Sequence, residues 1–119
     1  MQLRLNVRTL NDGIIVVDCA GRIVFGEETS VLREKLKQLL TNGARVILNL
    51  GEVTYIDSGG LGTLVALYTS AQSAGASIKL ANLTKRVGDL LQVTKLLTVF
   101  EVCSTEDEAV QSFRKTAAA

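Results

Sequence analysis

The 119-residue chain has no histidine, no proline and no tryptophan, and only two cysteines. Without histidine no Ser-His-Asp triad can form, and no imidazole is available to a metal. Cys19 and Cys103 lie far apart, each inside an apolar segment, so both read as small core residues and no metal site is expected. Neither sign of charge dominates: thirteen Lys and Arg stand against twelve Asp and Glu, giving a net charge of +1. No basic stripe with interleaved aromatics is present, which argues against a nucleic-acid partner. No apolar run approaches the roughly 20 residues that cross a bilayer. Met1 to Leu5 alternates Leu with Gln and Arg and lacks the apolar stretch of a secretory leader. The expected location is cytoplasmic, without membrane insertion.

What is present is a folding chain. Hydrophobic residues make up 47% and charged residues 21%, a balance typical of globular domains. This length fits one domain, residues 1–119, able to bury roughly two-thirds of its unfolded surface; residues 116–119 are expected to fray. Leu3, Leu5 and Val7 alternate with Arg4, Asn6 and Arg8, which predicts a half-buried strand. Asn11-Asp12-Gly13 supplies turn chemistry, and the β-branched run from Ile14 to Cys19 closes a hairpin. A short extended piece, Arg22 to Phe25, is expected after a turn at Ala20-Gly21.

Leu32, Leu36, Leu39 and Leu40 recur at helical spacing between Glu27 and Thr41, ahead of Asn42-Gly43. Arg45 to Leu50 is apolar on both faces and reads as the central strand. A second helix is predicted over Ser58 to Ala74, with Leu61, Leu64, Val65, Tyr68 and Ala71 on one face and Gly75 as its stop. A strand over Ile78 to Leu83, a short helix over Thr84 to Gln92 and a strand over Leu97 to Cys103 follow. Ser104-Thr105-Glu106-Asp107-Glu108 then opens a capped helix. Strands alternating with helices after a hairpin predict an α/β domain, with a mixed sheet of four to five strands flanked by about four helices.

The segment Asp57-Ser58-Gly59-Gly60-Leu61-Gly62, where the central strand enters the second helix, concentrates the chemistry. Asp57 or Ser58 can cap the first turn. Capping does not account for Gly59, Gly60 and Gly62, since each glycine inside a helix costs about 0.8–1 kcal/mol relative to alanine. Two readings follow: small residues let another molecule approach a helix end whose amides favour anions, or they permit close packing of helix on sheet. Other motifs fail. Gly21 and Gly26 have P-loop spacing, but Glu27 stands where lysine belongs. Gly60-Leu61-Gly62-Thr63-Leu64-Val65 lacks the last small residue of a dinucleotide fingerprint. Ile56 occupies the first glycine position of a serine-hydrolase elbow around Ser58, which leaves only a Ser–Lys pair as a catalytic route. No catalytic residue and no cofactor is expected.

This segment, preceded by Val46-Ile47-Leu48-Asn49-Leu50, resembles the signature Asp-Ser-x-Gly-Leu-Gly of the STAS family of sulphate transporters and anti-sigma factor antagonists. Nearly the whole chain takes part, including the early Gly21-Arg22-Ile23 and the late helix at Thr84 to Gln92. The resemblance implies a STAS-like fold and a phosphorylation site at Ser58, the serine after the aspartate. It also implies a partner that is both anti-sigma factor and serine kinase, bound by the unphosphorylated form through residues 57–62, with a separate phosphatase to reset the switch. Such a protein performs no chemistry of its own. Val24 stands where many members carry aspartate, and Gly59 replaces a frequent Ser or Thr, leaving Ser58 as the motif's only hydroxyl. Two other roles compatible with the family are a non-phosphorylated subunit of a membrane lipid-transport ABC complex and a scaffold or ligand sensor.

Overall fold

The alternating segment at the start forms β1 (Leu3–Thr9), and a turn with Gly13 at φ 88° returns the chain as β2 (Ile15–Ile23). The computed structural model describes residues 2–118, with the side chains of 116–118 outside the described set. After the hairpin come α1 (Glu27–Leu39), β3 (Arg45–Ile56), α2 (Ser58–Ala74), β4 (Ser77–Ala81), α3 (Lys85–Val93), β5 (Glu101–Cys103) and α4 (Glu106–Ala118). The sheet runs in the order β1-β2-β3-β4-β5, with β1 antiparallel to β2 and every later pairing parallel. The fold is therefore a single α/β domain with a mixed five-stranded sheet and four helices, as the sequence predicts.

Helical periodicity decides which face each helix covers. Leu32 and Leu36 of α1, Leu61, Leu64 and Leu67 of α2, and Val87 and Leu91 of α3 pack with Val17, Val46, Leu48 and Leu80 on one side of the sheet. On the other side α4 alone sets Ala109, Val110 and Phe113 against Ile14, Val16, Ile47 and Ala81. β3 thus buries adjacent residues in opposite cores, which explains why Arg45 to Leu50 reads as apolar on both faces. Lys79 is the buried cation of the α4 side; it pairs with Glu101 and lies 4.7 Å from the Phe113 ring centroid. A carboxylate and an aromatic face together offset its desolvation. The start of α4 is capped as expected: Thr105 Oγ1 accepts from Glu108 N at 3.1 Å and the Glu108 carboxylate from Ser104 N at 2.8 Å.

Three segments differ from the sequence expectations. Ala20-Gly21 is no turn but an irregular stretch within β2, so the extended piece at Arg22 is the end of that strand and Phe25 lies in the following turn. Gly21 permits this at φ 112°, where a Cβ would fall 2.0 Å from the Gln2 carbonyl oxygen. β3 runs to Ile56 rather than stopping at Leu50, because the extended β2 pairs with its second half, in which exposed and buried residues are mixed, from Ala20 opposite Glu52 to Ile23 opposite Ile56. Leu97 to Phe100 is a turn, and only three residues of the expected last strand enter the sheet. Phe100 anchors that turn, edge-on to Tyr68 at 5.5 Å. The fraying expected over 116–119 falls where Ala119 and the neighbouring side chains lie outside the described residues.

Candidate functional site

Because β2 and β3 end side by side, the turn after β2 and the entry to α2 meet at the C-terminal end of these two strands. Asp57 joins them. It is the N-cap of α2, and its carboxylate accepts from the Gly60 amide at 2.7 Å and from the Phe25 amide at 3.1 Å. Its own amide donates to the Ile23 carbonyl at 3.3 Å. These contacts, Gly60 first and Phe25 next, hold the Asp57 carboxyl below its usual range, with help from Gly59 and Arg22 and against the effect of desolvation. Of the two capping candidates the structure therefore selects Asp57.

Ser58 opens α2 and is exposed, and its hydroxyl carries no hydrogen bond among the described residues. The glycines divide between the two readings. Gly60 is a packing residue: a Cβ there would lie 2.0 Å from the Ile23 carbonyl oxygen, so α2 and β2 approach too closely for any side chain. Gly59 seats Phe25, whose Cβ would be 2.5 Å from an added methyl. Gly62 is exposed with nothing within 4 Å of an added Cβ, so packing does not require it. Leu61 is 8% exposed and belongs to the core. Within the six-residue segment, then, Ser58 and Gly62 present surface, whereas Gly60 and Leu61 supply shape from beneath.

The surroundings add residues that the linear motif does not contain. Phe25 is 77% exposed beside Gly59, and Val93, at the end of α3, is 79% exposed. A cleft of about 440 Å³ between the α2 entry and α3 is lined by Tyr55, Ser58, Leu61, Arg86, Leu90 and Val93, among others. Arg22 from β2 and Arg86 from α3 each set a guanidinium 5.2 Å from the Tyr55 ring centroid, contacts worth about 0.5–1 kcal/mol each when exposed. Val24, the residue standing where the family pattern has aspartate, is half-buried and adds no charge. Sequence reasoning missed Phe25, Val93 and the arginines, because the pairing of β2 with β3 and the packing of α3 bring them to the α2 entry. An aromatic in a turn, Phe25, was the one local signal.

Chemically the arrangement offers an exposed hydroxyl and apolar contact area. Burial pushes the Cys19 thiol up to about 12, and Cys103, half-buried beside the α4 core, is also raised by burial; neither is a poised nucleophile. Among the described residues no three Cys, Asp or Glu side chains gather to hold a metal ion, and no helix is long and apolar enough to cross a membrane.

Comparison with known proteins points one way. The family model described as STAS domain matches residues 7–109. The chain is 35% identical over 112 residues to an anti-sigma-B factor antagonist of Bacillus subtilis (strain 168), covering 93% of this chain and 100% of that protein. Its fold matches the anti-sigma factor antagonist SpoIIAA in its unphosphorylated form with a TM-score of 0.74 at 18% identity, covering 94% of this chain and 97% of that one. The phosphorylated form of SpoIIAA, a Bacillus cell fate determinant, matches at 0.69 and 18% identity, covering 92% and 99%.

Proposed function

The chain belongs to the STAS domain family, and on that footing we propose that it is a cytoplasmic anti-sigma factor antagonist controlled at Ser58. In this reading the unphosphorylated form docks an anti-sigma factor with serine kinase activity onto the α2 entry, which frees a sigma factor for transcription. Phosphorylation of Ser58 ends the complex, and a phosphatase restores it. The protein is a ligand in this cycle and catalyses none of its steps.

One observation carries the reading: the Ser58 hydroxyl is exposed and uncommitted at the centre of a surface flanked by two large exposed apolar side chains, Phe25 and Val93. Such side chains are natural contacts for a covering partner. A phosphate brings about −1.5 to −2 charges to the middle of that surface, beside the ionised Asp57. Burying an uncompensated charge costs roughly 3–5 kcal/mol, or about 150- to 5,000-fold in affinity. One modification is therefore enough to separate two proteins that otherwise bind tightly.

The test has two arms. Incubation with the cognate kinase and ATP, followed by intact mass and site mapping, is expected to place one phosphate on Ser58; modification elsewhere, or none, overturns the reading. In titration against the partner, Ser58→Ala is expected to bind like the parent and Ser58→Asp at least tenfold more weakly. Equal affinities of the two variants would remove the charge mechanism.

A further inference from the structure

Asp57 leaves little of the α2 entry for a second anion, since it already holds the Gly60 amide at 2.7 Å and the Phe25 amide at 3.1 Å. A phosphoryl group on Ser58 arrives next to a carboxylate of the same sign, with those donors engaged. Besides water, the groups left to meet its charge are side chains.

Two cations stand close by. Arg22 and Arg86 both lie against the Tyr55 ring, and Tyr55, Arg86 and Ser58 line the same cleft. Both arginines are exposed, and among the described residues neither has a carboxylate within ion-pair distance. The other charges of the cleft are Asp57, committed to backbone amides, and Asp89, engaged by Lys85 at 2.8 Å. An aromatic face holds a guanidinium in place without neutralising it, and the planar fork of arginine matches phosphate oxygens two at a time.

We infer that Arg86, assisted by Arg22, is the cation that receives the Ser58 phosphoryl group. In the unmodified chain Arg86 rests on Tyr55, and in the modified chain it turns across the cleft to the phosphate oxygens. Arg86 takes the leading part because it shares the cleft wall with Ser58, whereas Arg22 acts from the neighbouring strand. The inference rests on the reading of Ser58 as the modified residue and adds the device that lets the free protein carry the phosphate.

The experiment uses the full chain with phosphoserine installed at position 58 during translation, so that no kinase is needed. The second phosphate ionisation is followed by ³¹P NMR in the parent, Arg86→Gln, Arg86→Lys and Arg22→Gln backgrounds. Arg86→Gln is expected to raise the pKa of that ionisation by about half a pH unit or more, a value that allows for the exposure of the pair. Arg22→Gln is expected to raise it less. Identical titrations of parent and Arg86→Gln overturn the inference, as does an unchanged titration accompanied by weakened partner binding of unmodified Arg86→Gln, which would assign the arginine to the partner. Arg86→Lys, which keeps the charge without the fork, is expected to raise that pKa less than Arg86→Gln; if Arg86→Gln does not fold, Arg86→Ala decides in its place, a rise supporting the inference and no rise overturning it. Failure of a kinase to modify Ser58 would defeat the proposed function and leave this titration readable.

Discussion

Two polar clusters of the molecule, one around Arg8 and one at the α2 entry, have opposite character. In the first, Arg8 of β1 donates to Asp18 of β2 at 2.7 and 2.8 Å and also to Glu106 of α4. Asp18 accepts from Asn49 at 2.8 Å, and Asn49 from Asn82 at 3.0 Å, which steadies Asn82 in its left-handed conformation at φ 58°. Every charge there has a partner: the Asp18 carboxyl is pulled down to about 2, chiefly by Arg8, and the Arg8 guanidinium is shifted upward, chiefly by Asp18. At the α2 entry Asp57 is satisfied, whereas among the described residues a hydroxyl without a hydrogen bond, two guanidinium groups without a salt bridge and two exposed apolar side chains remain. A closed network ties elements together and has nothing left to offer; an open one has donors and apolar area available to a visitor. The difference is what marks the α2 entry, rather than the Arg8 cluster, as the proposed docking surface.

The most forceful way to break the comparison is Gly60→Ala. Its methyl would meet the Ile23 carbonyl, and a loss of about 3 kcal/mol is expected in urea unfolding, at the upper end of overpacking costs. A loss under 1 kcal/mol would show that α2 can shift away from β2. Asp57→Ala should cost about 1–2 kcal/mol, the usual penalty for a lost N-cap, and detach the Phe25 turn as well. Amide exchange at Phe25 and Gly60 should accelerate together; acceleration at one alone would mean that the carboxylate does not link the two turns.

Asp18→Asn probes the closed network, with an expected cost of about 1 kcal/mol at pH 7 for a partly exposed charged hydrogen bond. Because the folded value of Asp18 is depressed, its contribution is complete above the unfolded value near 4 and is lost as pH falls towards 2. The parent should therefore lose stability between pH 4 and 2 more steeply than Asp18→Asn, and parallel curves would contradict the pairing. Gly62→Ala should act in the opposite direction, stabilising the free chain by about 0.8–1 kcal/mol while weakening partner binding. Stabilisation with unchanged binding would take Gly62 off the docking surface. The smallest change in stability is expected for Phe25→Ala, within about 0.5 kcal/mol because the ring is exposed, with a fall of tenfold or more in partner affinity.

Most of the architecture is legible in the sequence because burial period and capping chemistry are local. The Leu32, Leu36 spacing, the Gly75 stop and the Thr105, Glu108 cap each specify an element before any tertiary contact is known. The missed features are the ones decided between segments. β3 continues past Leu50 although Glu52 and Thr54 are exposed, since the partner strand β2 supplies backbone bonds that no burial pattern records. Leu97 and Val99 imitate strand alternation, but the turn is set by Phe100 packing on Tyr68. At the site, a cap at Asp57 or Ser58 is readable from their place at the helix start, and the bond from the Gly60 amide selects Asp57. The roles of the three glycines are not, because one faces a carbonyl, one a ring and one open space.

The Ser58 oxygen holds no part of the molecule together. Esterifying it and clearing it again need not disturb a single cap, strand pairing or core contact, so each round can begin from the same architecture as the last. In the proposed cycle such a chain keeps no memory of past modification and shows no wear from repetition, and the duration of its signal is left to the enzymes that write and erase it.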